Sequence, residues 1–142
     1  MALAATTQII QDGARNTIIK FTGVSDGNGE SAVLKVDVSA LLGAPSDVRI
    51  ARIDYSMYGL QVRILWDAST DVLAWLLTPE QDNEVDFMRF GGLVNNAGTG
   101  KTGDILFTTE AIPGVALASG ASYSIVLEMI KQWSSPPAPG SI

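Results

Sequence analysis

LQVRILWDASTDVLAWLL, residues 60–77, decides the fold of this chain. It divides into two strands, 60–66 and 71–77, around the polar tetrad Asp67-Ala68-Ser69-Thr70, a common hairpin loop length. A symmetric loop sets Trp66 opposite Asp71, Ile64 opposite Leu73, Val62 opposite Trp75 and Leu60 opposite Leu77. Both strands then place their bulkiest apolar residues on one face, as register demands where one face is buried. That face predicts a core with Trp75 well buried. The other face pairs Gln61 with Leu76, Arg63 with Ala74 and Leu65 with Val72. This is too apolar for a sheet face turned to water. Cover is therefore expected, from the domain's own loops or from a neighbouring subunit, and Leu65, Val72 and Leu76 become candidate contact residues.

Upstream of the hairpin, residues 1–6 are small and weakly patterned, an N-terminal arm. Residues 7–11 and 16–23 read as strands around the turn Asp12-Gly13-Ala14, and VSDGNGES, residues 24–31, is dense in turn formers. Residues 32–38 alternate, with Ala32, Leu34, Val36 and Val38 on one side and Lys35 and Asp37 on the other, as in a half-buried strand. Gly43 and Pro45 mark a connection, with one helical turn at 39–42. Residues 48–58 form a long strand with a phase change: Val48 and Ile50 share one parity, Ile53, Tyr55 and Met57 the other. A β-bulge near Ala51-Arg52 reconciles them.

Downstream, residues 78–85 form an acidic loop. Residues 86–90 and 93–94 return to strand, 95–103 are loop, and 104–109 are a strand with Ile105 and Phe107 inward. A Gly- and Pro-punctuated connection leads to residues 122–131, where Tyr123, Ile125, Leu127 and Met129 recur with period two. That stretch is open to strand or amphipathic helix, and the period favours strand. SSPPAPGSI, residues 134–142, is a polyproline-like tail. The expected architecture is all-β: an antiparallel two-sheet sandwich, jelly-roll-like, of eight to nine short strands with extended N- and C-terminal arms. A closed barrel is the competing arrangement. Residues 1–133 make one domain, and 134–142 the tail.

A length of 142 residues suits one domain. Hydrophobic residues make up 46%, which excludes disorder for the body of the chain, and charged residues only 17%, below the usual quarter. So few charges fit either a large core or surface hidden in an assembly. Nine basic against fifteen acidic residues give a net charge of −6, and the basic residues are scattered, so nucleic acid is not an expected partner. Cysteine is absent, which removes disulfides and thiol chemistry. The first sixteen residues lack the pattern of a signal peptide, and no apolar run approaches a membrane span, so no membrane partner is expected.

Histidine is also absent. That removes Ser–His and Cys–His pairs and histidine-ligated metals. Acid/base work would fall to paired carboxylates, as in glycoside hydrolysis, and no spacing singles out a pair. Gly98-Thr99-Gly100-Lys101-Thr102 resembles the end of a phosphate loop, yet Asn95 stands where the first glycine belongs and a strand follows instead of a helix. Asp26-Gly27-Asn28-Gly29-Glu30 opens like a calcium loop, but Ser31 and Asp37 occupy the required glycine and glutamate positions. Glu80, Asp82, Glu84 and Asp86 read as a solvated acidic loop. No catalytic residue, cofactor or metal ligand is therefore assigned. Trp66, Trp75, Tyr55 and Tyr58 fit core better than a sugar-stacking platform. Trp133 either plugs its own domain or anchors the tail on a neighbour, and with Pro136, Pro137 and Pro139 it completes the candidate interface.

TTQIIQDGARNTIIKFTGVSDGNGESAVLKVDVS, ILWDASTDVLAWLL, FGGLVNNAGTGKTGDILFTT and SYSIVLEMIKQ resemble small virion structural proteins of tailed bacteriophages, especially T7-like podoviruses of aquatic hosts. The resemblance covers most of residues 6–132 and carries no catalytic motif. It implies a non-enzymatic particle component made in the host cytoplasm, with capsid decoration (cement) on the outside of the head as the leading role. The implied partners are the major capsid protein, copies of the chain itself as a homo-oligomer, or both. A carbohydrate- or receptor-binding sandwich, a tail or connector adaptor and a carboxylate glycosidase are the alternatives.

Overall fold

The computed structural model describes residues 4–79, 84–114, 116–117 and 119–133. Nine strands among them form two antiparallel sheets: β1 (Ala4–Asp12), β2 (Asn16–Asp26), β3 (Val33–Val36), β4 (Asp47–Tyr58), β5 (Gln61–Trp66), β6 (Val72–Leu77), β7 (Glu84–Asp86), β8 (Ile105–Glu110) and β9 (Ser119–Gln132). One sheet runs β1-β2-β9-β4-β7, the other β3-β8-β5-β6. The pairs β2·β9, β3·β8, β4·β7 and β5·β6 are nested, the earliest strand with the latest, and successive pairs fall in alternate sheets. That is the jelly-roll arrangement, with β1 added outside β2. The expected sandwich is what forms.

Period two does most of the building. Along β9, Ala121, Tyr123, Ile125, Leu127 and Met129 are buried in turn, and the intervening residues are half-exposed. They meet Phe21 from β2, Ile53 and Tyr55 from β4, and Val62, Ile64 and Trp66 from β5 in a single core. Ring contacts Phe21–Phe107 and Phe107–Tyr123, at 5.1 and 6.1 Å, tie the two sheets together edge-on. The phase change in β4 is resolved by a bulge at Ala51, because Ile50 faces Met129 and Arg52 faces Glu128. The Ala51 carbonyl accepts instead from the Phe87 N–H at 2.9 Å.

Several expectations need correction. Ala4–Thr6, assigned to an arm, are the first residues of β1. The segment 87–90 is a 3₁₀ turn, Met88–Phe90, and not strand. The hairpin is offset from the symmetric register: Trp66 faces Val72, Leu65 faces Leu73, Ile64 faces Trp75 and Val62 faces Leu77. A bulge at Ala74 and a five-residue loop, 67–71, absorb the difference. Trp75 is half-buried, its ring edge-on to Phe87 at 4.9 Å.

β3 also departs from its alternation. A bulge at Lys35 turns that side chain inward with Val36 and leaves Leu34 outside. Lys35 Nζ lies 2.5 Å from Glu30 Oε2, and the Tyr123 hydroxyl donates to Glu30 Oε1 at 2.8 Å. Both partners of the ion pair are buried. Burial, and then the Glu30 carboxylate beside it, push the Tyr123 hydroxyl above its ordinary range. Gly29 permits this latch, since a Cβ there would meet the Thr109 carbonyl at 2.1 Å. The opposite end is closed by Lys131, fully buried, which donates to Asp12, Gly13 and Leu42 at 2.5, 2.5 and 2.8 Å.

Candidate functional site

The sequence places an apolar back on the β5–β6 hairpin, and the pairing extends it into a row. On the outer face of the four-stranded sheet, Leu34 of β3 lies opposite Leu106 of β8, Leu106 opposite Leu65 of β5, and Leu65 opposite Leu73 of β6. Four leucines thus cross the whole sheet in one line about 14 Å long, at the usual strand spacing. The row is open at both ends: Leu34 is 50% and Leu73 44% exposed, while Leu106 between its neighbours is only 7%. Fully burying a leucine contributes about 1.5–3 kcal/mol, so covering the half-exposed Leu34 and Leu73 would add roughly half of that each, and the already buried Leu106 little.

Beside this row lies a second, Thr108–Arg63–Leu76. Arg63 Nε and Gln61 Nε2 both donate to Glu110 Oε1, at 2.5 and 2.7 Å. Burial raises the Glu110 pKa, but the hydrogen bonds from Gln61 and Arg63 outweigh it and hold the carboxyl below its usual value. Arg63 and Glu110 therefore neutralise each other. The result is an apolar band with an internally balanced polar margin.

Of the residues singled out from sequence, Leu65 and Leu76 sit on this face. Val72 does not: it lies opposite Trp66 and packs against the core, and Leu73 takes its place on the outside. Leu34 and Leu106 belong to the band and escaped the sequence reading. Leu106 had a readable signal, an apolar residue at the outward parity between Ile105 and Phe107. Leu34 had none, because the Lys35 bulge that turns it outward depends on the buried Glu30. Trp133 donates through Nε1 to the Gly43 carbonyl at 3.1 Å, on its own domain, and remains 48% exposed. Pro136, Pro137 and Pro139 lie outside the described residues.

The other candidate constellations disperse. Trp66 and Tyr55 are core, Trp75 leans on Phe87, and Tyr58 alone of the four is exposed, so no stacking platform forms. Lys101 is ion-paired with Asp47 at 2.6 Å, and Thr102 donates to Asp67 at 2.7 Å, which pins the glycine-rich loop to the fold. Asp26 caps its own turn and Glu30 is consumed in the latch. Glu84 pairs with Arg52, whereas Glu80 and Asp82 are outside the described residues. Among the described residues, no group of three Asp, Glu, His or Cys side chains is placed to hold a metal ion. A depression lined by Gln11, Arg15, Asn16 and Glu128 holds one carboxylate, not the two that glycoside hydrolysis requires.

The fold and this face define a jelly-roll sandwich with an apolar band across the outer face of its four-stranded sheet. No family model, no curated protein and no solved structure matches the chain.

Proposed function

We propose that this chain is a non-enzymatic structural component of a phage particle, a head decoration protein that lays its leucine-banded sheet on the major capsid protein. The observation that carries the reading is the row Leu34–Leu106–Leu65–Leu73, an apolar line with a charge-balanced margin across the whole outer face of one sheet. The resemblance to virion structural proteins supplies the partner. A flat apolar band suits attachment to a repeating shell, where many modest contacts add up through avidity.

The test has two arms. Quantitative mass spectrometry of purified particles is expected to find hundreds of copies per particle. About a dozen or fewer would move the protein to the tail or a vertex, and none would overturn the reading. In the second arm, wild-type chain and the Leu34→Lys/Leu73→Lys variant are sedimented with particles stripped of the protein. Attachment should fall at least about tenfold in the variant. Unchanged attachment would show that this face is not the adhesive one.

A further inference from the structure

We infer that the flank formed by β1 and β3 is a contact between two copies of this chain, in which β1 of each copy completes the four-stranded sheet of the other. The inference is independent of the particle reading above.

The two sheets are unequal, five strands against four. The Trp75–Phe87 contact joins the β6 and β7 sides, so the surplus strand, β1, overhangs on the side where β3 is the edge. Its consequence shows in neighbouring residues on the same inner face. Ile9 is 58% exposed although it lies opposite Ile19, which is 3% exposed. Thr7 is exposed opposite the buried Phe21, and Ala5 is exposed opposite the buried Gly23. Among the described residues, β2 has a sheet beneath it and β1 has none. Val33, on the inner side of the β3 edge, is left 38% exposed at the same vacancy.

The sheet edges point to the same place. β7 spans three residues and β6 is bulged at Ala74, devices that discourage pairing. β1 spans nine residues, and its pairing with β2 is regular from Ala4 to Ile9. Residues 4–11, AATTQIIQ, contain no charge and no proline, in a chain of net charge −6. Two such chains repel least where neither presents charge, and the β7 edge, with Glu84 and Asp86, is the reverse.

A second copy fits the vacancy by symmetry. Asp12 at the end of β1 accepts from the Leu42 N–H at 3.0 Å, and Leu42 follows β3 after the 3₁₀ turn Val38–Ala40, so the C-terminal ends of β1 and β3 lie on the same side and the two strands run the same way. A two-fold axis along the strands carries β1 of one copy beneath β1 of the other, about one sheet spacing of 10 Å away. That position is beside the free edge of β3. Each copy supplies the strand the other lacks, Ile9 and Thr7 cover their counterparts, and the contact closes on itself.

The experiment is sedimentation velocity on the full chain with single variants. Wild type should sediment as a dimer of the 15.0 kDa chain. Ile9→Lys and Val33→Lys should each weaken dimerisation about tenfold or more, and both sites are exposed in the single chain, so folding should survive. Leu73→Lys, on the opposite flank, should leave the dimer intact. Because the chain lacks cysteine, mixing Thr7→Cys with Val33→Cys chains gives an unambiguous readout, an intermolecular disulfide. A wild type that stays monomeric at about 100 µM would overturn the inference, as would lysine variants that dimerise normally or a dimer lost in Leu73→Lys.

Discussion

The two outer faces of this sandwich are built from the same kind of strand and end in opposite chemistry. On the five-stranded sheet, one row reads Gln8, Lys20, Val126, Asp54 and Glu84, and another Ile18, Glu128, Arg52 and Asp86. Arg52 lies within ion-pair distance of Asp54, Glu84 and Glu128, and those carboxylates keep it more firmly protonated than usual, Asp54 foremost through its hydrogen bond. That face is settled in water. On the four-stranded sheet the corresponding row is four leucines. Both faces share one core, so core formation does not account for the difference. The proposed attachment of the leucine face to a partner would account for an apolar row that the described residues leave open.

The largest effects should come from the interior the faces share. Trp66→Ala removes a fully buried ring and should cost about 3–5 kcal/mol in urea denaturation, whereas Leu65→Ala, one residue along, should cost much less. Equal costs would mean that the leucine row is core and the contrast between the faces is false. Glu30→Gln leaves Lys35 buried without its counter-charge and should cost about 3 kcal/mol. The loss of stability should be relieved in part by Lys35→Met in the same chain, and no relief would show that the pair is not coupled.

A smaller effect belongs to pH. The hydrogen bond from Lys131 lowers the Asp12 pKa from 3.8, against the opposing influence of burial and with help from the Leu42 N–H. A folded value below the unfolded one means the stabilisation is fully present above pH 3.8 and is lost as the pH falls through the depressed value. Asp12→Asn should therefore flatten the acid limb of a stability–pH profile, whereas Leu73→Lys should leave that limb unaltered. Smallest of all should be the face substitutions themselves. Leu73→Lys should shift stability by no more than about 0.5 kcal/mol while attachment collapses. Arg52→Ala should barely move the melting midpoint, and any shift should shrink in salt. A large loss of attachment in Arg52→Ala would reverse the assignment of the two faces.

Local pattern carried much of this. The period of residues 122–131 favoured strand over helix for β9, because every second residue from Tyr123 to Met129 is apolar and reaches the core. The parity switch between Ile50 and Ile53 specified the bulge at Ala51, since no straight strand buries both. The apolar back of the β5–β6 hairpin was visible as composition alone. What local pattern could not supply was register. The Ala74 bulge exchanges Val72 for Leu73 on the outside, and it accompanies the lodging of Trp75 against Phe87, which is remote in sequence and lies beside the facing sheet. The inward turn of Lys35 likewise needs Glu30 and Tyr123, from two other segments.

The sequence by itself determined the class, an all-β sandwich with an apolar hairpin back and no histidine or cysteine chemistry, because side-chain period and composition are properties of the chain alone. Only the tertiary structure decided which leucines share a line, which lysines are buried, and that one sheet is a strand short of the other. Those depend on which distant strands pair and where a bulge is tolerated, and that is settled by the fit of side chains between sheets.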